Sequence, residues 1–388
     1  MFLFPKKSNK FARNNYHTRT IMKQKNLTKK LMIALLGAVL FVGCSKNESE
    51  NVQEQDASKI TARSAEQQSI ETTIANFYDC LKKLKYSGFS DFFYDNFFLT
   101  SATTNNKTWY EFLDGKFKEQ YVGQKEGFVY EKLLGTYTWD SSAKKWGKTA
   151  NSNNVTLHFP AFNTTASNNA TLVLENYTSL NIGTNSLPTK GKATITVDNK
   201  KIIEVDIQGI SYGLIPTLIE NAEVVIYGNP FTTTISLKKN GSVYNFTSNT
   251  SAPDGCTTTV NGVINLTNNS TISTDKVDFK ALAFDNFKDL EFKVNFENLE
   301  IKVNADIAGL KALNKDVYSV EDMNNFVKVD VLSSGKKVAD LKYNEDSNGK
   351  YDPDVVFLDG TTNKAESYFS YFSKKVKHVF RVVFGLEK

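Results

Sequence analysis

One stretch of the chain sets oxygen donors at alternate positions: Asn344, Asp346 and Asn348 precede Gly349, and Asp352 follows it. Carboxylates and amides spaced this way ahead of a glycine are how calcium-binding loops are built. The twelfth position counted from Asn344 is Val355, where an EF-hand needs a bidentate Glu, so that motif fails. The commoner explanation is a solvated hairpin loop with Asn348-Gly349 at its tip, and calcium on these four residues stands as the alternative. Beyond residue 43 the histidines are His158 and His378, in a strand-like and a helix-like stretch. Neither has a second His four residues away or a neighbouring Cys, which argues against zinc of ordinary ligation and for structural roles. The chain has no Gly-x-Ser-x-Gly, no phosphate-binding Gly-x-x-x-x-Gly-Lys-Ser/Thr and no dinucleotide fingerprint. No cofactor is expected. A pair of carboxylates ~5–10 Å apart across a cleft would serve glycoside hydrolysis, but that is a distance in space and the sequence recommends no pair.

The elements that position these residues begin with a segment the folded protein does not keep. Lys23, Lys25, Lys29 and Lys30 precede the 12 uncharged residues 31–42, and Gly43-Cys44 follows. A cationic start, an apolar run and a small residue are the order of an export signal. A membrane-crossing helix needs about 20 apolar residues, so this run is a cleaved signal and no span. Leu40-Phe41-Val42-Gly43-Cys44 resembles the lipobox of bacterial lipoproteins, with Phe41 where Leu is usual. The resemblance implies that Cys44 receives a diacylglyceryl group and palmitate-type acyl chains and becomes the N-terminus. Ser45 stands where an Asp would favour the inner membrane, which implies outer-membrane sorting. Residues 1–21 read as an upstream extension, 1–43 as the signal, and 44–64, polar and charged, as a lipidated tether.

The signal also distorts the charge. Its nine Lys and Arg, removed from 47, leave 38 basic against 42 acidic groups, so the formal charge changes from +5 to −4. The basic footprint of a nucleic-acid binder is absent. The remaining 345 residues suffice for a core without staples. Cys80 and Cys256 can pair if the protein is exported. Cys80 beside Phe77, Leu81 and Leu84 reads more readily as a small buried apolar group, and the free thiol is the expectation.

Ile70, Ile74, Phe77, Leu81 and Leu84 place one apolar face on a helix capped by Ser69 and stopped at Gly88, the first of the helical section 65–125. From residue 131 the period falls to two. A hairpin with a Trp on each arm (Trp139, Trp146) is followed by a strand ending at Pro160 and by hairpins folding at Asp198-Asn199 and Asn240-Gly241. Two β regions, 126–275 and 276–388, follow from this reading. Short helices fall near 307–313 and 321–325. Gly335-Lys336-Lys337 echoes Asn199-Lys200-Lys201, each followed by an apolar strand. Tyr368, Phe369, Phe372, Val376 and Phe380 mark a C-terminal helix. The fold class is α+β, predominantly antiparallel β: a long meander with an N-terminal helical section and a C-terminal helix.

Leu134-Gly-Thr-Tyr-Thr-Trp139, Phe159-Pro160, Leu187-Pro188 and Phe357-Leu-Asp-Gly-Thr361 are similar to stretches of uncharacterised Bacteroidota lipoproteins, a likeness that implies fold class and location and no activity. Three functions follow as expectations. The first is a non-catalytic lipoprotein body that binds glycan or an envelope protein. The second is a half-barrel carrier of lipid or another apolar ligand, and the third a carboxylate-dependent glycoside hydrolase.

Overall fold

The computed structural model describes residues 64–85, 88–93, 96, 109, 112–113, 115–116, 129–162, 165, 167–182, 185–213, 219–267, 287–315, 318–345 and 351–364. The C-terminal helical stripe at 368–384 lies outside them, as does everything before residue 64.

The helical section begins earlier than its apolar spacing suggests. Helix α1 is Ala65–Lys85, and its cap is Ser64, whose Oγ accepts from the Gln67 N–H at 3.3 Å while the Gln67 side chain accepts from the Ser64 N–H at 3.3 Å. This reciprocal pair satisfies two of the orphan donors of the first turn. Ser69 lies inside the helix and hydrogen-bonds Ser333 instead, at 2.9 Å. Gly88 opens a second short helix, α2 (Gly88–Phe93), where a stop is expected. Its lack of a side chain is required there, since a Cβ would lie 2.9 Å from Ile202 Cδ1.

The body is one sheet of sixteen strands: β1 (Gly135–Asp140), β2 (Lys145–Ala150), β3 (Val155–Phe159), β4 (Ala170–Ile182), β5 (Asn185–Val197), β6 (Lys200–Tyr212), β7 (Ile219–Gly228), β8 (Phe231–Asn240), β9 (Val243–Ser251), β10 (Thr257–Leu266), β11 (Phe287–Phe296), β12 (Leu299–Asp306), β13 (Val327–Ser333), β14 (Lys336–Glu345), β15 (Tyr351–Phe357) and β16 (Thr362–Lys364). From β3 to β16 each strand pairs with the next, antiparallel throughout; β10 pairs β11, which places both β regions in one sheet. The pure meander needs one correction, because β1 lies parallel to β3 and the hairpin partner β2 takes the edge. Two short helices, α3 (Ile307–Ala312) and α4 (Val320–Phe326), fill the β12–β13 crossing.

The turns explain the register. Asp198 and Asn199 both take positive φ (49° and 63°), as do Ser334 and Gly335 (51° and 77°), the pattern of a type I′ hairpin. The β8–β9 turn differs from expectation by one residue. Asn240 still pairs with Val243, so the loop is Gly241-Ser242, and only Gly241 has positive φ, at 60°. A glycine at the first loop position is the type II′ solution, which glycine serves as well as it serves the other.

Because side chains alternate across a strand and paired residues share a face, the pairings assign every inward position. Ile207, Val224, Ile235, Ser248, Val260, Val294, Ile301 and Val331 form one continuous row across β6 to β13. On one side the next row, Ala222, Leu237, Phe246, Gly262, Phe292, Val303 and Val329, is also apolar, whereas on the other side Val205, Ile226, Phe296 and Leu299 share their row with Thr233, Thr250, Thr258 and Ser333. The opposite face of the same strands carries Glu204, Asp206, Thr234, Asn249, Thr259, Lys293 and Lys302. A core cluster joins this inner face to α1, through Ile70, Ile74, Leu299, Val331, Val338, Ala339, Val355 and Phe357.

The two Lys-Lys echoes have one structural meaning. Thr196 pairs with Lys201 and Ile195 with Ile203, which leaves Ile202 as an extra residue; Leu332 pairs with Lys337 and Val331 with Ala339, which leaves Val338. Both are β-bulges, and both extra residues are buried, at 5% and 7% exposure.

Helix α4 carries a charged cap. Ser319 Oγ accepts from the Asp322 N–H, the Asp322 carboxylate accepts from the Ser319 N–H at 2.7 Å, and Lys315 Nζ lies 2.7 Å from the same carboxylate. The ammonium first, and then the Ser319 N–H, holds the Asp322 pKa down at about 2. An unfolded Asp titrates near ~3.9, so this stabilisation is complete above that pH and is lost as pH falls through the folded value. Asp322→Asn should therefore lower the melting temperature at pH 7, and the difference from wild type should shrink to a small part of that by pH 2. A gap undiminished at pH 2 would exclude the carboxylate as its source.

Candidate functional site

All the described contacts of the helical arm α1–α2 fall at one end of the strands, the end bearing the β5–β6, β7–β8, β9–β10, β11–β12 and β13–β14 turns. Thr73 Oγ1 donates to Asn298 Oδ1 at 2.6 Å, the ring of Phe77 meets that of Phe296 at 4.7 Å, and Lys83 pairs with Asp254 at 2.5 Å. Farther on, Phe89 packs on Gly228, and Phe92, fully buried, lies 6.5 Å from the ring of Phe159. Asn96, also buried, donates to the Phe92 and Ala161 carbonyls and accepts from Trp109 Nε1 at 2.9 Å, while the Trp109 ring stacks on Phe159. Among the described aromatics of this section, Phe89, Phe92 and Trp109 are core.

A helix is about 10–12 Å across, whereas strands of ten residues such as β7 and β8 run about 33 Å. The arm thus covers roughly a third of the length of each central strand. Beyond it, Val205, Ile207, Val224, Leu237, Phe246 and Ile264 are half-buried, neither packed in the core nor open to water. Among the described residues the large hydrophobics that are openly exposed are Leu180 and Leu358, so no row of exposed rings marks the polar face as a platform for sugars.

At the far end of this apolar strip, on β7 to β9, the inward phase turns polar. Lys239 pairs across the ladder with Tyr244, its Nζ lies 3.2 Å from Glu220 Oε1, and it sits 5.9 Å from the centre of the Tyr244 ring. Lys239 has 20% of its side chain exposed, against 65% for Lys238 on the other face. Tyr244 is buried, and its Oη has no hydrogen-bond partner. Burial first, and then the Glu220 charge, raises its pKa. Trp139 Nε1 and Asn168 Oδ1 are likewise buried without partners, near the end of β1.

Of the residues singled out in the sequence, the structure describes His158, Asn344 and Asp352. His158 points to the polar face and shares a 3.0 Å hydrogen bond with Thr171; His378 lies outside the described residues. Asn344 and Asp352 face each other on β14 and β15, and Asp346 and Asn348 lie outside the described residues. Asn344 Nδ2 donates to Asp354, itself paired with Lys364 at 3.2 Å. Among the described residues no group of three His, Cys, Asp or Glu is arranged to hold a metal ion. Cys44 lies outside them, and none of their helices is long and apolar enough to cross a membrane.

The free-thiol expectation is overturned: Cys80 and Cys256 form a disulfide, with Cα atoms 5.8 Å apart. It ties α1 to the β9–β10 turn, and Lys83 Nζ lies 3.1 Å from Cys256 Sγ. The polar cluster at Glu220, Lys239 and Tyr244 was missed, although Lys239 interrupts the inward run Thr233, Ile235, Leu237 and so left a signal. Comparison with known family models, curated proteins and solved structures finds no match to this chain.

Closing a loop of 176 residues constrains the unfolded chain, so replacing both cysteines by Ser should lower the unfolding free energy by about 5 kcal/mol in urea titration. Equal stability with and without the bond would show that the arm is held by packing alone.

Proposed function

We propose that this protein is an exported, non-enzymatic carrier, moored to the outer membrane through an acylated Cys44, that holds an apolar ligand against the inner face of its sheet. The observation that carries the reading is the half-buried apolar strip on β6 to β10, which is wider than the helical arm laid across it. Burial of a methylene is worth about 0.8 kcal/mol, so about a dozen of them would gain on the order of 10 kcal/mol, comparable to the about 4–15 kcal/mol that association costs. A strip several strands wide is enough for such a chain, at ~4.8 Å per strand. The Cys80–Cys256 disulfide supports export, because such bonds persist in oxidising compartments.

The test uses diphenylhexatriene, a neutral hydrocarbon fluorophore. It should bind saturably to the body 45–388. Leu237→Asp, on the strip, should weaken binding at least tenfold with the circular dichroism spectrum unchanged, and Leu180→Asp, at an exposed position, should not. Absence of saturable binding would end the carrier reading. The anchor is tested separately: Cys44→Ala should release the protein from membrane fractions, and a variant that still sediments with the envelope would count against acylation.

A further inference from the structure

We propose that Tyr244, Lys239 and Glu220 form the polar end of the ligand site and take the neutral, hydroxyl-bearing head of a single-chain amphiphile of the monoacylglycerol type. This rests on the carrier reading. A buried phenol normally finds a partner, and leaving one unmade is costly, so a Tyr244 Oη without one is a donor and acceptor set aside for something else. Its surroundings specify that partner. The three residues lie in the inward phase of β7, β8 and β9, in line with Leu237, Ala222 and Phe246, so a chain on the apolar strip ends at them. Glu220 is held in place by the close approach of Gly213, where a Cβ would lie 2.8 Å from Oε1.

Charge decides between heads. Lys239 is already neutralised by Glu220 at 3.2 Å. A carboxylate or phosphate here would set its charge beside that of Glu220. A hydroxyl and ester carbonyl meet no such repulsion: the carbonyl accepts from Tyr244 Oη or a spare Lys239 N–H, and the hydroxyl donates to the second Glu220 oxygen. No bond is made or broken in this step.

The experiment measures displacement of diphenylhexatriene by 1-monooleoylglycerol and by oleate, in wild type and Tyr244→Phe. Wild type should prefer monooleoylglycerol. Tyr244→Phe should weaken monooleoylglycerol about five- to tenfold, the worth of one hydrogen bond. Without ligand, Tyr244→Phe should melt at or above the wild-type temperature, because the lost hydroxyl has no partner within the protein. Tighter binding of oleate, an unchanged monooleoylglycerol affinity, or a destabilised ligand-free variant would each overturn the assignment while leaving the carrier reading intact. Failure of diphenylhexatriene itself to bind would overturn both.

Discussion

A single-layer sheet has two faces, and water can be offered only one of them at low cost. In this protein the apolar phase of every strand from β3 to β15 falls on the same side, and the whole molecule is arranged around covering that side. Phase is unforgiving, because a slip of one residue would turn an entire strand's aliphatic set to solvent. The type I′ turns at Asp198-Asn199 and Ser334-Gly335 and the tight Gly241-Ser242 loop hold neighbouring strands in step.

Where the arm lies on the sheet, extra bulk is inserted by the bulges. Ile202 meets α2 at Gly88, and Val338 joins the cluster around Ile70 and Ile74. Each follows a Lys-Lys pair on the hairpin's return strand. Those lysines reach the polar face: Lys201 pairs with Glu204 at 3.2 Å, and Lys337 lies 2.7 Å from both Asp330 and Asp340. Such half-exposed pairs stabilise little on their own, and their part here is to keep the bulge facing the right way. A short repeated phrase in the sequence thus marks the two places where the sheet thickens toward the helix.

How much of this was legible depends on how far apart the interacting residues are. Alternation in 233–246 and 290–303 is local, and it revealed strands, hairpins and fold class. The parallel docking of β1 on β3 involves no turn signal, so a meander was the natural reading. The α1 cap was misplaced because its first turn, Ala65 to Gln68, is without large apolar residues and gives the periodicity nothing to register. Cys80 and Cys256 are 176 positions apart, and a cysteine among Phe77, Leu81 and Leu84 looks the same bonded or free. Tyr244 looked like one more inward aromatic. That its hydroxyl faces no partner is a property of the folded arrangement, although Lys239 beside it broke the apolar phase in plain view.

The arm's partners are late residues: Ser69 meets Ser333 and Asn76 meets Glu297, separations of 264 and 221, whereas the sheet is assembled almost wholly from sequence neighbours. Contacts of such different range form on different schedules, since long loops must close before distant pairs are rewarded. The meander can therefore zip hairpin by hairpin while its first helix waits. The arm, although it precedes the sheet in the chain, is then the last part to find its place, and until it does one flank of the greasy surface lies bare.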